Sequence, residues 1–218
     1  MKYYLDITLL PDVEVNLGFL WEKIYQQIHL MLVDNKVADK NSAVGISFPK
    51  YKNHEFPLGD KLRLFAPTEA QLSTLNLAKW LSKFEDYVHI KAIKAVPSNV
   101  NEYAYFKRRQ FKSATKLRNN IDQRAQKIAA KNNFDVNEVK KRLLASLDKL
   151  DSSSTLPFIN LQSLSSNKNI NAQERKKFLL FIELVTVKTA VKNSGMFTCY
   201  GLSRRQESQQ VAVPWFEG

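Results

Sequence analysis

The chain has 218 residues, with 44% hydrophobic and 25% charged side chains, a balance typical of a globular protein with one sizeable core or two small ones. Lys and Arg number 33 against 21 Asp and Glu, so the formal net charge of +12 favours a polyanionic partner, either nucleic acid or an acidic membrane surface. A single cysteine, Cys199, excludes an intrachain disulfide and fits a reducing cytoplasmic compartment. We expect no membrane span, because no apolar run is long enough, and the N-terminus does not have the pattern of a signal peptide.

The first 98 residues predict a ferredoxin-like domain. Apolar side chains recur every three or four residues in its helices and alternate in its strands. The predicted elements are a strand at 3–10, a helix at 17–34, strands at 44–51 and 60–67, a helix at 69–84 capped by Thr68, and a strand at 87–96. This β-α-β-β-α-β order is that of a ferredoxin-like domain, and residues 97–99 are the predicted exit from it.

The remaining residues, 99–218, predict a second domain of different composition. Residues 101–150 contain 13 basic and only 5 acidic side chains, so most of the net charge lies in this segment. A basic helix is expected from Ser113 onward, and a second helix begins at Asp135, which caps it. Strand-like segments follow the polar break at 151–155. The whole chain is therefore predicted to be α+β, with a linker, a basic helix and a small antiparallel sheet in its second domain.

The basic helix carries a continuous polar and cationic ridge along one side. Its members on a helical wheel are Ser113, Lys116, Asn120, Gln123, Arg124, Lys127 and Lys131. Cations on such a ridge offset phosphate charge while the amides reach bases or sugars, so the ridge favours nucleic-acid binding. A solvated charged surface is the open alternative, although such a surface usually interleaves acidic residues. Binding to an acidic membrane is a further alternative, but the narrow apolar side suits packing on a domain better than insertion into lipid.

His29 is one of three histidines and lies in the first predicted helix, outside its apolar stripe. It is therefore not an obvious core residue, and a surface histidine without a role stays an open alternative. The sequence contains no HExxH motif, no Walker loop and no GxSxG motif. A nuclease without a bound metal would use the 2′-hydroxyl of RNA as nucleophile and a side chain such as histidine as general base. Because DNA lacks that hydroxyl, this chemistry predicts an enzyme specific for RNA.

Several motifs spread over the whole chain share their order and spacing with one family. They are "YLDITLLPD" at the start, His29 in the first helix, "GISFP" at 45–49, "RRQFKS" at 108–113, "LPFINLQSLS" at 156–165, "FLLFI" at 178–182, "FTCYGLS" at 197–203 and the terminal "VPWF". With these motifs the chain resembles the CRISPR-associated endoribonuclease of subtype I-F systems, which cuts precursor CRISPR RNA within each repeat. The resemblance implies a ferredoxin-like N-terminal domain and a second half that binds the repeat stem-loop through an arginine-rich helix in its major groove.

The resemblance also implies catalytic roles for individual residues. His29 matches the general base, Ser163 the serine that positions the attacking 2′-hydroxyl, and Tyr200 the tyrosine that orients the histidine. Ser165 matches a neighbour of the scissile phosphate. Taken alone, the two serines could be ordinary hydroxyls at a strand end and Tyr200 a core residue. Their joint occurrence in the family order favours the functional interpretation.

RNA contacts are implied for a further group of residues. Arg108 and Gln110 match a linker pair that reads base edges near the foot of the stem, and Phe178 matches an aromatic residue stacked below it; each could otherwise be an ordinary linker or core residue. The family's dense arginine run is replaced here by "ATKLRNN", so lysine and asparagine, which lack the arginine fork, supply part of the groove contact. The predicted RNA-binding residues are Arg108, Arg109, Gln110, Lys112, Ser113, Lys116, Arg118, Asn120, Gln123, Arg124, Lys127, Lys131 and Phe178.

The predicted function is a metal-independent endoribonuclease that cleaves at the 3′ base of the repeat hairpin and stays bound to its product. The products implied are a 2′,3′-cyclic or 3′-phosphate and a 5′-hydroxyl. The predicted partners are the repeat stem-loop and other subunits of the type I-F surveillance complex, without cofactor, metal or membrane, in a prokaryotic cytoplasm. A non-catalytic RNA-hairpin-binding subunit is the alternative function, and a generic basic protein of the ribosome or nucleoid is a third one.

Overall fold

A computed structural model of the chain describes residues 1–53, 55–111, 120–148, 155–163, 177–189 and 195–216. The contacts divide the chain into two compact units. The larger unit consists of Met1–Arg109 and Pro157–Gly218, and the smaller unit is Gln110–Leu156. The contacts thus group the C-terminal strands with the N-terminal half, and the predicted domains 1–98 and 99–218 stay predictions.

The described helices and strands confirm the predicted α+β class. In chain order they are β1 (Tyr3–Leu9), α1 (Leu17–Asp34), β2 (Asn41–Ser42), β3 (Gly45–Ser47), β4 (Lys61–Ala66), α2 (Glu69–Thr74), α3 (Leu77–Leu81), a 3₁₀ helix (Ser82–Tyr87), β5 (Val88–Ile90), β6 (Lys94–Ala95), β7 (Tyr103–Arg109), α4 (Ile121–Asn132), α5 (Val136–Asp148), β8 (Phe158–Gln162), β9 (Lys177–Val187), β10 (Phe197–Thr198), a 3₁₀ turn (Glu207–Gln209) and β11 (Val213–Pro214). Only α4 and α5 belong to the smaller unit.

The first sheet of the larger unit is antiparallel, with the strand order β3-β4-β1-β5. Strand β4 lies between β1 and β3, which α1 connects, so the strands have the split β-α-β arrangement. Pairing of β1 with β4 runs from Tyr3 opposite Ala66 to Thr8 opposite Lys61. On its other side β1 pairs with β5 and, further along, with β6.

Helix α1 has the bounds that the sequence predicts. It begins at Leu17 because the Asn16 side chain accepts a hydrogen bond from the Phe19 N–H at 3.0 Å. Its predicted apolar stripe is buried: Leu17, Leu20, Trp21, Ile24, Ile28 and Met31. Burial of this stripe against the first sheet fixes the rotation of the helix, and the helix in turn carries His29 on its other side.

Two predicted elements are each divided in the structure. Thr68 caps α2 as expected, in a capping box with Gln71, but the predicted helix at 69–84 is interrupted at Asn76. Asn76 has a φ of 48°, in the left-handed region, so the hydrogen-bond ladder restarts as α3 and continues as a 3₁₀ helix. The predicted strand at 87–96 is divided into β5 and β6, which pair with different parts of β1.

The second sheet of the larger unit has the strand order β11-β7-β9-β8. The short strand β10 pairs with β2, with Phe197 opposite Ser42 and Thr198 opposite Asn41. Edge strand β8 lies against α1. These contacts bring segments from both ends of the chain around α1.

A buried ion pair joins the first sheet to the C-terminal segment. The Arg63 guanidinium donates to both carboxylate oxygens of Asp6, at 2.6 and 3.0 Å, and to the Phe216 carbonyl at 2.9 Å. The same guanidinium lies 4.1 Å from the centroid of the Phe216 ring. Both charges of this Arg63–Asp6 pair therefore have hydrogen-bond partners, as a buried pair requires.

The described part of the smaller unit contains a pair of helices packed through small side chains. Ala125 and Ala129 of α4 and Val139 of α5 form its buried cluster. Between the helices, Asn133 adopts a left-handed conformation with a φ of 56°, and its N–H bonds the Ala129 carbonyl, which ends α4. Among the described helices of both units, none is long and apolar enough to cross a membrane.

Candidate active site

His29 lies on the polar side of α1, which faces β8 and not bulk solvent. Glu22, Gln26 and His29 follow one another along this side at helical spacing. Gln26 Oε1 accepts the Gln162 N–H at 3.0 Å, and Asn160 Nδ2 donates to Glu22 Oε2 at 3.5 Å. His29 is accordingly half-buried. It is part of a packed polar interface and not a freely solvated side chain.

The imidazole of His29 is held by a backbone hydrogen bond. Its Nδ1 lies 2.8 Å from the carbonyl oxygen of Cys199. Because a carbonyl can only accept, Nδ1 of the neutral ring carries the proton and Nε2 keeps its lone pair. No side chain in the described part of the chain hydrogen-bonds to Nε2. The ring can therefore accept a proton at Nε2.

Aromatic and cationic groups surround the imidazole. The ring of Tyr200 stacks on that of His29, with a centroid distance of 4.1 Å and an interplanar angle of 3°. Phe178 meets the Tyr200 ring edge to face, and the Arg108 guanidinium lies 5.4 Å from the Tyr200 centroid and 5.1 Å from that of Phe178. We name this group the His29 site, and its members are His29, Arg108, Phe178, Cys199 and Tyr200.

Strand alternation decides which of two neighbouring arginines enters the His29 site. Arg108 lies opposite Ile182 in the β7–β9 ladder, on the sheet face that packs on the core. Its Nε is buried and has no hydrogen-bond partner among the described residues. Arg109 points to the other face, where its Nε lies 3.3 Å from Glu183. Of the two, only Arg108 therefore contributes charge to the His29 site.

The surroundings lower the pKa of His29. Burial is the main cause, because it penalises the imidazolium, and the positive charge of Arg108 acts in the same direction. The hydrogen bond to the Cys199 carbonyl partly opposes both effects. Burial conversely raises the pKa of the Tyr200 hydroxyl, against the influence of Arg108. At neutral pH the His29 site thus holds an uncharged histidine, the form that a general base needs.

The chain matches the model of the family described as CRISPR-associated protein (Cas_Csy4) over residues 4–216. It belongs to this family. Two relatives, from Pseudomonas aeruginosa (strain UCBPP-PA14) and Escherichia coli (strain UTI89 / UPEC), are both named CRISPR-associated endonuclease Cas6/Csy4. Each is 29% identical over 216 residues, which cover 99% of this chain and 100% of the relative. The family that the sequence motifs indicate is therefore confirmed.

Of the two serines that the Cas_Csy4 resemblance implies, only Ser163 lies within the described residues. Ser163 directly follows β8, whose last residue, Gln162, is bonded to Gln26 on the helix of His29. Ser163 thus follows a strand whose last residue is hydrogen-bonded to a side chain of α1. Ser165 lies outside the described residues. A catalytic role for either serine stays a prediction.

The described part of the predicted cationic ridge is exposed to solvent. It lies on α4 and just before it, at Asn120, Gln123, Arg124, Lys127 and Lys131. Gln110 is also exposed and directly follows β7. The predicted contacts Lys112, Ser113, Lys116 and Arg118 lie outside the described residues. RNA binding by the ridge stays a prediction that its exposure permits.

Sequence reasoning missed three contributors to the site. These are the Cys199 carbonyl, the Gln26 amide, and Tyr25, whose hydroxyl donates to the Tyr200 carbonyl at 2.8 Å. A backbone carbonyl leaves no signature in side-chain patterns, and Tyr25 reads simply as an apolar helix residue. Where residues are described, no group of three or more His, Cys, Asp or Glu side chains is arranged to hold a metal ion.

Proposed function

We propose that this member of the Cas_Csy4 family is an endoribonuclease that processes precursor CRISPR RNA. The observation that carries the proposal is the state of His29: its Nδ1 is bonded to the Cys199 carbonyl at 2.8 Å, and its Nε2 has a lone pair to accept a proton. The name of the two relatives, CRISPR-associated endonuclease, supports the reaction class. A histidine base to which no carboxylate of the described residues is bonded fits attack by a hydroxyl of the substrate itself.

The proposed reaction uses the ribose 2′-hydroxyl as nucleophile. His29 Nε2 takes the proton of this hydroxyl, whose oxygen attacks the adjacent phosphorus. The new bond closes a 2′,3′-cyclic phosphate, while the bond to the 5′ oxygen breaks and that oxygen takes up a proton from water. Ser163 positions the hydroxyl, and Ser165 lies near the scissile phosphate. No step needs a metal ion, because the nucleophile and the base come from RNA and protein.

The proposed substrate is the stem-loop of the CRISPR repeat, cut at its 3′ base. Arg108 and Gln110 contact base edges at the foot of the stem, and Phe178 stacks below it. Arg108 and Phe178 lie in the His29 site, so the foot of the stem is brought to the base. The cations of the ridge neutralise backbone phosphates of the hairpin. Binding of this kind keeps the enzyme on its product and makes it a subunit of the type I-F complex.

The decisive experiment is cleavage of the repeat RNA of the same genome by wild-type protein and by His29→Ala. We expect His29→Ala to abolish cleavage and to leave hairpin affinity nearly unchanged, because the imidazole supplies a proton acceptor and not a phosphate contact. A 2′-deoxy nucleotide just upstream of the cut should block the reaction, and EDTA should not. End-group analysis should find a 2′,3′-cyclic or 3′-phosphate and a 5′-hydroxyl.

His89→Ala is the matched control, because His89 is exposed on β5, an end strand of the first sheet. It should cleave at the wild-type rate. Full cleavage by His29→Ala would overturn the assignment of the base. Tight hairpin binding without any cleavage by the wild-type protein would instead favour the non-catalytic hairpin-binding subunit.

A further inference from the structure

The side chain of Gln26 links the helix of His29 to the strand that precedes Ser163. Gln26 lies one helical turn before His29 on α1, and side chains three apart on a helix are neighbours. Its Oε1 accepts the backbone N–H of Gln162, the last residue of β8, at 3.0 Å. One side-chain hydrogen bond therefore fixes the distance between two segments that the proposed reaction must hold together.

The bond occupies a position where the sheet supplies no partner. Among the described strands, β8 is at the edge of its sheet and pairs only with β9. Half of its backbone groups therefore point away from the sheet, and the Gln162 N–H finds its acceptor in a helix side chain. Just upstream, Asn160 Nδ2 reaches Glu22 Oε2 at 3.5 Å. Glu22 and Gln26, on successive turns of α1, thus both hold the outer edge of β8, and Gln26 holds its C-terminal end.

The amide nitrogen of Gln26 indicates that this side chain does more than stabilise the fold. Its Nε2 is buried and has no hydrogen-bond partner among the described residues. An unpaired buried N–H₂ group costs free energy, which methionine or leucine at this position would avoid. Exchanging the two amide ends would turn Nε2 toward the Gln162 N–H, donor against donor, so the orientation is determined.

We propose that Gln26 is a positioning residue of the proposed nuclease: its Oε1 holds the end of β8, and hence Ser163, in register with His29. This inference rests on the proposed function, since it assigns Gln26 to the same reaction. The residue acts through Gln162 and Ser163 and does not touch the reacting atoms itself. Loss of the acceptor leaves the base intact and lets the serine move, so the chemical step slows while binding of the hairpin persists.

The test compares Gln26→Met with Gln26→Glu in the full chain, with excess enzyme over repeat RNA, at a pH well above the pKa of an ordinary histidine. Met removes the acceptor, and Glu keeps an oxygen at the same reach. We expect Gln26→Met to lower the single-turnover rate constant by about tenfold or more, since small displacements of reacting groups are costly. Gln26→Glu should retain a rate near wild type. Hairpin affinity and melting temperature should be unchanged in both.

Gln27→Met is the matched control, the same substitution one residue on, and it should cleave at the wild-type rate. Amide hydrogen exchange at Gln162 should be faster in Gln26→Met than in wild type. If Gln26→Met does not fold, Gln26→Asn, whose shorter side chain cannot reach Gln162, should show the same loss of rate.

A wild-type rate in Gln26→Met would overturn the inference, as would an equal loss in Gln26→Met and Gln26→Glu. A loss of rate that merely follows a lower melting temperature would show a structural role and overturn it too. If the wild-type protein cuts and His29→Ala does not, such results count against Gln26 alone. If the wild-type protein does not cut the repeat, the proposed function fails first and this inference with it.

Discussion

At the scale of single residues, the chemistry of His29 is set by three neighbours that act in different ways. The Cys199 carbonyl fixes the tautomer, the Tyr200 ring fixes the plane of the imidazole, and Arg108 disfavours its charged form. Burial of the ring disfavours the charged form more strongly than Arg108 does. A neutral, oriented ring with a lone pair at Nε2 is the result, and it is the state in which a histidine acts as a base.

The lowered pKa of His29 predicts the pH dependence of cleavage. The base works in its neutral form, so the single-turnover rate constant should be independent of pH above the ordinary histidine pKa of 6.5 and should fall only at lower pH. Replacing Arg108 by glutamine removes a positive charge, which raises the pKa of His29 and moves the acid limb of the profile to higher pH. An NMR titration of His29 in the free protein measures the shift directly.

Arg109→Gln is the control for this prediction, because Arg109 pairs with Glu183 on the opposite sheet face. It should leave the His29 titration unchanged. A downward shift in Arg108→Gln would contradict the assignment.

The same lowered pKa has a consequence for stability. The folded state binds a proton at His29 less readily than the unfolded chain does. This contribution to the free energy of unfolding is therefore present above pH 6.5 and is lost as the pH falls from 6.5 through the pKa of the folded state.

At the scale of elements, α1 serves both packing and chemistry. One side buries the apolar stripe, and the other side carries Glu22, Gln26 and His29 against β8. The buried stripe therefore sets the rotation at which α1 presents His29, independently of how the start of the helix is capped. Asn16 determines this start, because its Oδ1 takes up the otherwise unpaired N–H of Phe19.

Asn16→Ala should destabilise the protein without slowing the reaction. Loss of an N-cap side chain costs about 1 kcal/mol. His29 lies 13 residues further on, roughly 20 Å along the helix axis at a rise of about 1.5 Å per residue, so the site geometry should persist. Denaturant unfolding measures the first effect and single-turnover cleavage the second. Asn101→Ala, in the exposed segment before β7, is the control and should change neither. A slower reaction at unchanged stability would contradict the prediction.

At the scale of the whole molecule, the excess positive charge is unevenly distributed along the chain. The +12 net charge is concentrated in residues 101–150, and the cations of α4 are exposed. Asp122 on the same helix is engaged by Lys140 of α5. The described ridge on α4 is therefore a surface of cations and amides, suited to neutralise phosphates and release their counterions.

This charge distribution predicts the salt dependence of hairpin binding. Replacing both Lys127 and Lys131 by glutamine should weaken binding and reduce the slope of log Kd against log salt by about one for each lysine. Cleavage of fully bound RNA should be unaffected, because neither lysine belongs to the His29 site. The control replaces Lys79 and Lys83, which are exposed in the larger unit, and should leave the slope unchanged. An unchanged slope after substitution of the ridge lysines would exclude phosphate contacts there.

Local sequence signals were sufficient for much of the fold. The apolar period of α1, the Thr68 cap of α2, and the strands β1, β4, β8 and β9 were predicted from side-chain patterns that act within a few residues, whereas the Asn16 cap and strand β7 were not predicted. The break at Asn76 was missed, because an apolar helical period continues across it and hides the left-handed φ of this residue. The division of β5 from β6 was missed for a related reason, since it depends on where each meets β1.

The sequence by itself determined the α+β class, the family motifs, the charge of the ridge and the position of His29 outside the apolar stripe. Only the tertiary structure decided which groups contact His29 and the helix side that carries it. The Cys199 carbonyl, the Tyr200 ring and the Gln162 N–H come from segments more than 130 residues away along the chain. Side-chain patterns report periodicity and local propensity, whereas the tautomer, pKa and orientation of a catalytic group depend on long-range contacts, many of them to backbone atoms that every residue shares.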